Sequence, residues 1–102
     1  MLTIVSHGQS MVDEYETALD SAKKLETKMN KIYANALASY SGLKKTLFMN
    51  EQTAWVKYRQ AQLKISEHVF RGGSGQGLEV LTRKIELTDE RIRRLEFLKG
   101  YL

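Results

Sequence analysis

Cysteine and proline are both absent from this 102-residue sequence. Without cysteine there is no disulfide framework, no thiolate metal site and no thiol nucleophile. Without proline, nothing in the chain forbids long uninterrupted helices, because proline is the residue a helix interior tolerates least. Histidine is scarce: His7 and His68 are the only two, and no His-x-x-x-His or Glu-x-x-His spacing joins them to a ligand partner. Neither lies near a recognisable Ser or Asp partner motif, so the sequence reads as a non-enzyme that needs no metal and no cofactor. No apolar run approaches the ~18 residues of a membrane-spanning helix, and Met1–Ser6 is too short for a signal-peptide core. The chain is expected to stay out of the membrane. It is either cytosolic or a domain from which an export signal has been removed.

Charge of one sign is not concentrated either. The net charge is +4, with 16 Lys and Arg against 12 Asp and Glu. The densest basic group, Arg91, Arg93 and Arg94, is interrupted by Asp89, Glu90 and Glu96. Such mixing predicts a solvated surface more than a nucleic-acid footprint, although Arg83, Lys84, Arg91 and Arg94 would be the residues of such a site.

What the sequence does contain is helical periodicity. A frayed, flexible segment is expected over residues 1–9, ending in the turn-like His7-Gly8-Gln9, with Ser10 capping a first helix over 10–38. Its apolar positions, Tyr15, Ala18, Ala22, Leu25, Met29, Ile32 and Ala36, step by three and four, and Tyr33 and Leu37 widen the stripe. Ser39-Tyr40-Ser41-Gly42 is a break. A second helix is expected over 43–70 with the stripe Leu47, Ala54, Trp55, Tyr58, Ile65 and Val69, and Gln62 as its polar member. Arg71-Gly72-Gly73-Ser74-Gly75-Gln76-Gly77 stops it, since each glycine costs roughly 1 kcal/mol inside a helix. The third helix, over 77–99, carries Leu78, Leu81, Ile85, Thr88, Ile92 and Leu95. Residues 10–102 therefore read as one all-α domain, an antiparallel bundle or long hairpin of three amphipathic helices.

Two features invite a functional reading beside a structural one. Trp55 and Tyr58 fall on the apolar stripe, which makes them core residues; the alternative is that one edge of the Trp55–Tyr58–Arg59 cluster is exposed as a binding anchor. Arg59 is expected to form an ion pair. The glycine-rich loop follows a helix and lacks a lysine after its last glycine, so it matches no nucleotide-binding fingerprint. Ser74 is expected to cap the third helix. As a loop tip the segment remains a candidate partner-binding element, with Phe70, Arg71, Gly73, Ser74 and Gln76 as its contributors.

Lys28-Met29-Asn30-Lys31-Ile32-Tyr33, the array Gln52-x-x-Trp55-x-x-Tyr58-Arg59, the turn Gly72-Gly73-Ser74, and Leu87-Thr88-x-x-Arg91-x-x-x-Leu95 occur in register. Together they resemble the LprI-type lysozyme-inhibitor family of small bacterial envelope domains, over about Leu25 to Leu95. The resemblance implies that Asn30, Tyr33, Gln52, Trp55, Tyr58, Arg59, Thr88 and Arg91 are family-motif residues with a structural role. It also implies a periplasmic or cell-envelope location and a protein partner, a lysozyme-like muramidase or an envelope component. Family members commonly carry two cysteines that would tie the second and third helices; Leu63 and Arg83 stand in those neighbourhoods here. Animal lysozymes are generally basic, so an inhibitor of net charge +4 needs local acidic groups, and Asp13, Glu14, Glu16 and Asp20 form the one cluster. The alternative function is a structural adaptor in an envelope or secretion complex, its apolar face completed by a partner or a second copy of the chain.

Overall fold

The computed structural model describes residues 7–101, with side chains from Met11 onward. Three helices follow one another, α1 (His7–Ala38), α2 (Gly42–Val69) and α3 (Gln76–Tyr101), and there is no strand among the described residues. The expected all-α fold of three helices is the one found. The beginning of α1 differs. His7-Gly8-Gln9 is already helical, so it is not a turn, and Ser10 lies inside the helix instead of capping it. The flexible segment expected over 1–9 lies, as far as residue 6, outside the described residues.

Both connections are short. Between α1 and α2, the Ser39 and Tyr40 amides donate back to Ala36 and Leu37 carbonyls, and Ser41 is extended (φ −144°, ψ 166°). Gly42 then adopts φ +62°, a left-handed conformation that glycine enters without a Cβ penalty. After α2, Gly72 does the same at φ +81°. The segment 70–76 is a succession of hydrogen-bonded turns, and the Gln76 side chain fastens it by donating from Nε2 to the Glu67 carbonyl at 2.8 Å. The Glu79 amide closes the first turn of α3 onto the Gly75 carbonyl. Gly75, not Ser74, therefore occupies the capping position, and Ser74 is exposed in the turn before it.

The helices form a flattened body of 57 × 29 × 15 Å. α3 is the central element: α1 packs along it extensively and α2 packs against it, whereas α1 and α2 meet only sparsely. The core sits where the two short-linked helices converge on α3, with Met29 and Ala36 from α1, Phe48 from α2, and Ile92 and Leu95 from α3. Tyr33 stacks on Phe48 (centroids 5.1 Å apart) and Tyr40 meets the same ring edge-on at 5.2 Å. The stripes expected on α1 and α3 are the faces that pack, apart from Tyr15, which is largely exposed.

The stripe expected on α2 packs inward only at Trp55 and Gln62. Leu47, Ala54, Tyr58, Ile65 and Val69 are all exposed, and the inward face is Phe48, Gln52, Trp55, Arg59, Gln62 and Ser66. The two stripes differ by about a quarter turn of helix. Burial went to the face that carries Gln and Arg because those groups find charged and hydroxyl partners on the neighbouring helices, which offsets their desolvation.

Candidate functional site

Trp55 lies at the centre of the inward face of α2, half-buried against the core. One turn later on the same helix, the Arg59 guanidinium stands 4.7 Å from the indole centroid; from α3, that of Arg91 stands 5.4 Å away. Both arginines are removed from water, at 8% and 3% exposure. Each is neutralised by a carboxylate held in bidentate fashion. Arg59 donates through Nη1 to Glu26 Oε1 on α1 at 2.6 Å and through Nη2 to Oε2 at 3.2 Å, and its Nη1 also donates to the buried Thr88 hydroxyl at 3.0 Å. Arg91 donates through Nη1 to Glu51 Oε2 at 2.6 Å and through Nη2 to Oε1, and its Nε and Nη2 share the Gln52 Oε1 at 3.0 and 2.7 Å.

The electrostatics follow from these contacts. The hydrogen bonds from Arg59 hold the Glu26 carboxyl below the usual carboxylate range, overcoming the upward push of partial burial; the Arg59 charge and that of Lys84 add to the effect. Burial pushes the Tyr33 phenol up, with the Arg91 charge pulling the other way. The two guanidinium charges of the cluster are each matched by a carboxylate of a neighbouring helix. The role of the cluster is to lock three helices together, with the guanidinium planes giving the geometric specificity of bidentate pairing.

At the far end of the body, the start of α1 lies beside the 70–76 turns and the start of α3. Met11, Val12, Tyr15, Glu16 and Leu19 of α1 line a groove with Ser74, Gly77 and Leu78. Asp13 and Glu14 line an adjoining one with Glu79 and Thr82. The contact is close: a Cβ on Gly77 would lie 3.1 Å from Tyr15 Cε2. Asp13, Glu14, Glu16, Asp20 and Glu79 are all exposed, Asp20 pairing with Lys24 at 3.0 Å. Val12, Tyr15 and Phe70 expose 55%, 41% and 41% of their surface on the same end.

The sequence profile of the lysozyme inhibitor LprI family matches residues 6–95. The chain belongs to this family. No curated protein and no solved structure shows significant similarity to it. Membership in a family of inhibitors agrees with a protein that acts by binding and not by catalysis, and no described helix is long and apolar enough to cross a membrane.

Of the motif residues through which the sequence resembles the LprI family, Gln52, Trp55, Arg59, Thr88 and Arg91 converge on one network, and Tyr33 joins the aromatic core beside it. Asn30 and Tyr58 do not converge; both face solvent. Arg59 forms the ion pair expected of it. Where family members commonly place cysteines to tie α2 to α3, Arg83 Nη2 donates to Gln62 Oε1 at 3.1 Å, so a hydrogen bond joins the helices at that level. Arg91 is buried and Arg83 is engaged, which removes two of the four cations that a nucleic-acid surface would have used.

Glu26 and Glu51 were not singled out by sequence reasoning. The signal for them was indirect: a buried arginine requires a carboxylate, but only folding decides which one reaches it. The loop residues Phe70, Arg71, Gly73 and Ser74 are exposed, with Arg71 Nη2 lying 3.2 Å from His68 Nδ1, and Gln76 is half-buried. The fold sets this loop beside the acidic start of α1, two features that are about 60 residues apart in the chain.

Proposed function

We propose that this protein binds and inhibits a lysozyme-like muramidase in the bacterial cell envelope, using the end built by the 70–76 turns and the start of α1. The single observation carrying this reading is the juxtaposition there of the exposed acids Asp13, Glu14, Glu16 and Glu79 with exposed Val12 and Tyr15 and with Ser74 of the turn that Phe70 opens. Net charge alone opposes capture of a basic enzyme. Local charge of the right sign supplies steering, and a rim of acids around apolar anchors is the anatomy of a protein-binding patch. Inhibition would then be occlusion: the Arg71-Gly72-Gly73-Ser74 tip, fastened through Gln76, covers the cleft without any covalent step. The hydrogen-bonded turns reduce the ordering entropy that a glycine-rich loop would otherwise lose on binding.

The test is clearance of cell-wall suspensions by animal and bacterial lysozymes with and without the protein. Phe70→Ala, and the charge reversal Asp13→Lys with Glu14→Lys, are each expected to weaken inhibition roughly tenfold, the reversal also flattening its salt dependence. Lys45→Ala, at the opposite end, should leave it unchanged. Absence of inhibition at tens of micromolar with every lysozyme tried would overturn the reading. An assembly adaptor would then stand in its place; it requires an exposed apolar helix face, and α2 has one.

A further inference from the structure

At the loop end, one cation stands among acids. Over residues 7–22 of α1 and 65–82 around the turns, the sequence holds six carboxylates, Asp13, Glu14, Glu16, Asp20, Glu67 and Glu79, and a single Lys or Arg, Arg71. All six carboxylates are exposed, and so is Arg71, on the turn that reverses the chain. The next basic residues stand about two helical turns further into the body: Lys23 past Tyr15, Arg83 past Gln76, and Lys64 before Arg71, beside Glu67. Despite these surroundings, no carboxylate among the described residues pairs with Arg71. Arg59, Arg83, Arg91 and Arg93 each hold one, and Arg94 lies over the Phe97 ring. Arg71 meets an imidazole instead: its Nη2 donates to His68 Nδ1 at 3.2 Å, which uses one of the five N–H donors of the guanidinium.

The positions that follow are stripped of side chains, and the fold does not account for all of them. Gly72 needs its left-handed φ, and a Cβ on Gly73 would lie 3.3 Å from the Phe70 carbonyl oxygen. Gly75 has neither reason. A Cβ there would meet nothing within 4 Å, and in the capping position of α3 a Ser, Asn or Asp would serve the helix better. Over residues 71–75 the turn is therefore a narrow tip on which Arg71 is the one long side chain.

We propose that this tip carries Arg71 into the active-site cleft of the muramidase, where its guanidinium pairs with the catalytic carboxylate that stays ionised. The proposal rests on the inhibitory reading and adds the contact that blocks the enzyme. Glycoside hydrolases of the lysozyme kind place two carboxyl groups beside the scissile bond, one protonated and one charged. The charged one is a fixed anion in a slot shaped for a thin sugar chain, and a guanidinium fork matches it bidentately. A side chain at Gly75 would widen the tip against the walls of that slot. The outer carboxylates then face the basic surface around the cleft, so the sign of charge reverses from centre to rim on both partners.

The measurement is inhibition of an animal lysozyme, with circular dichroism of each variant as the check on folding. Arg71→Ala should raise the inhibition constant about ten- to a hundredfold, and Arg71→Lys should restore it only in part, since an ammonium cannot fork. Gly75→Asn should leave the melting temperature unchanged or higher and weaken inhibition by about fivefold or more. The pairing itself is read from a lysozyme in which the catalytic carboxylates have been changed to amides. Its affinity for the wild-type protein should fall, and Arg71→Ala should then cost about twofold at most. Full inhibition by Arg71→Ala or by Gly75→Asn, or an equal Arg71→Ala penalty on native and amidated lysozyme, would overturn the proposal and leave the inhibitory reading standing. No inhibition by the wild-type protein would overturn both.

Discussion

Glu26 and Arg59 are joined by a bidentate ion pair between α1 and α2, helices whose backbones approach each other only sparsely, with Arg59 Nη1 2.6 Å from Glu26 Oε1. The same Nη1 reaches Thr88 of α3, so one guanidinium holds all three helices at the level where the core gives way to the loop end. A buried arginine is expensive to strand and cheap to keep only while its carboxylate is charged.

Glu26→Gln should therefore destabilise the fold by about 1–2 kcal/mol in urea denaturation; the loss stays below that of a fully buried pair because the Glu26 side chain is 33% exposed. Its folded pKa is depressed, so the stability it supplies is present above the ordinary carboxylate range and is lost as pH falls through the folded value. Wild-type stability should drop below pH about 4, and Glu26→Gln should show less of that drop.

The register of α2 can be tested by two adjacent residues. Phe48 is 2% exposed between Tyr33 and Tyr40, whereas Leu47 is 58% exposed. Phe48→Ala should cost about 3–5 kcal/mol and Leu47→Ala less than about 0.5 kcal/mol, measured in dilute solution. Reversal of that order would restore the stripe read from the sequence.

Trp55→Ala should cost about 2–3 kcal/mol, below the range for a fully buried ring because the indole is only half-buried. Part of the loss is the cation–π contact with Arg59 and Arg91, so Trp55→Leu, which restores apolar volume without the ring, should recover the stability only in part. Full recovery in thermal melts would assign the whole effect to packing.

Tyr40→Phe should stabilise the protein by about 0.5–1 kcal/mol. The Tyr40 hydroxyl is buried and has no hydrogen-bond partner among the described residues, so removing it removes a desolvation penalty and leaves the edge-on contact with Phe48 intact. A rise in the urea midpoint with unchanged slope is the expected signature.

The sequence by itself determined three helices and their breaks, because three-and-four periodicity, an absence of proline and two glycine-bearing turns act locally, each within a few residues of where its effect is felt. It also determined the packing faces of α1 and α3, where a single apolar stripe leaves one way to bury it. On α2 two faces compete: Leu47, Tyr58 and Ile65 on one, Phe48, Trp55 and Arg59 on the other. Periodicity favoured the more apolar of them. Only the tertiary structure could choose the second, because the decision rests on Glu26 and Arg91 arriving from other helices to pair with Arg59, Glu51 and Gln52, and no local pattern records where a distant carboxylate will lie. The same holds for the loop end. The acids of α1 and the turn after α2 lie about 60 residues apart in the chain and become one surface only when the helices fold back on each other.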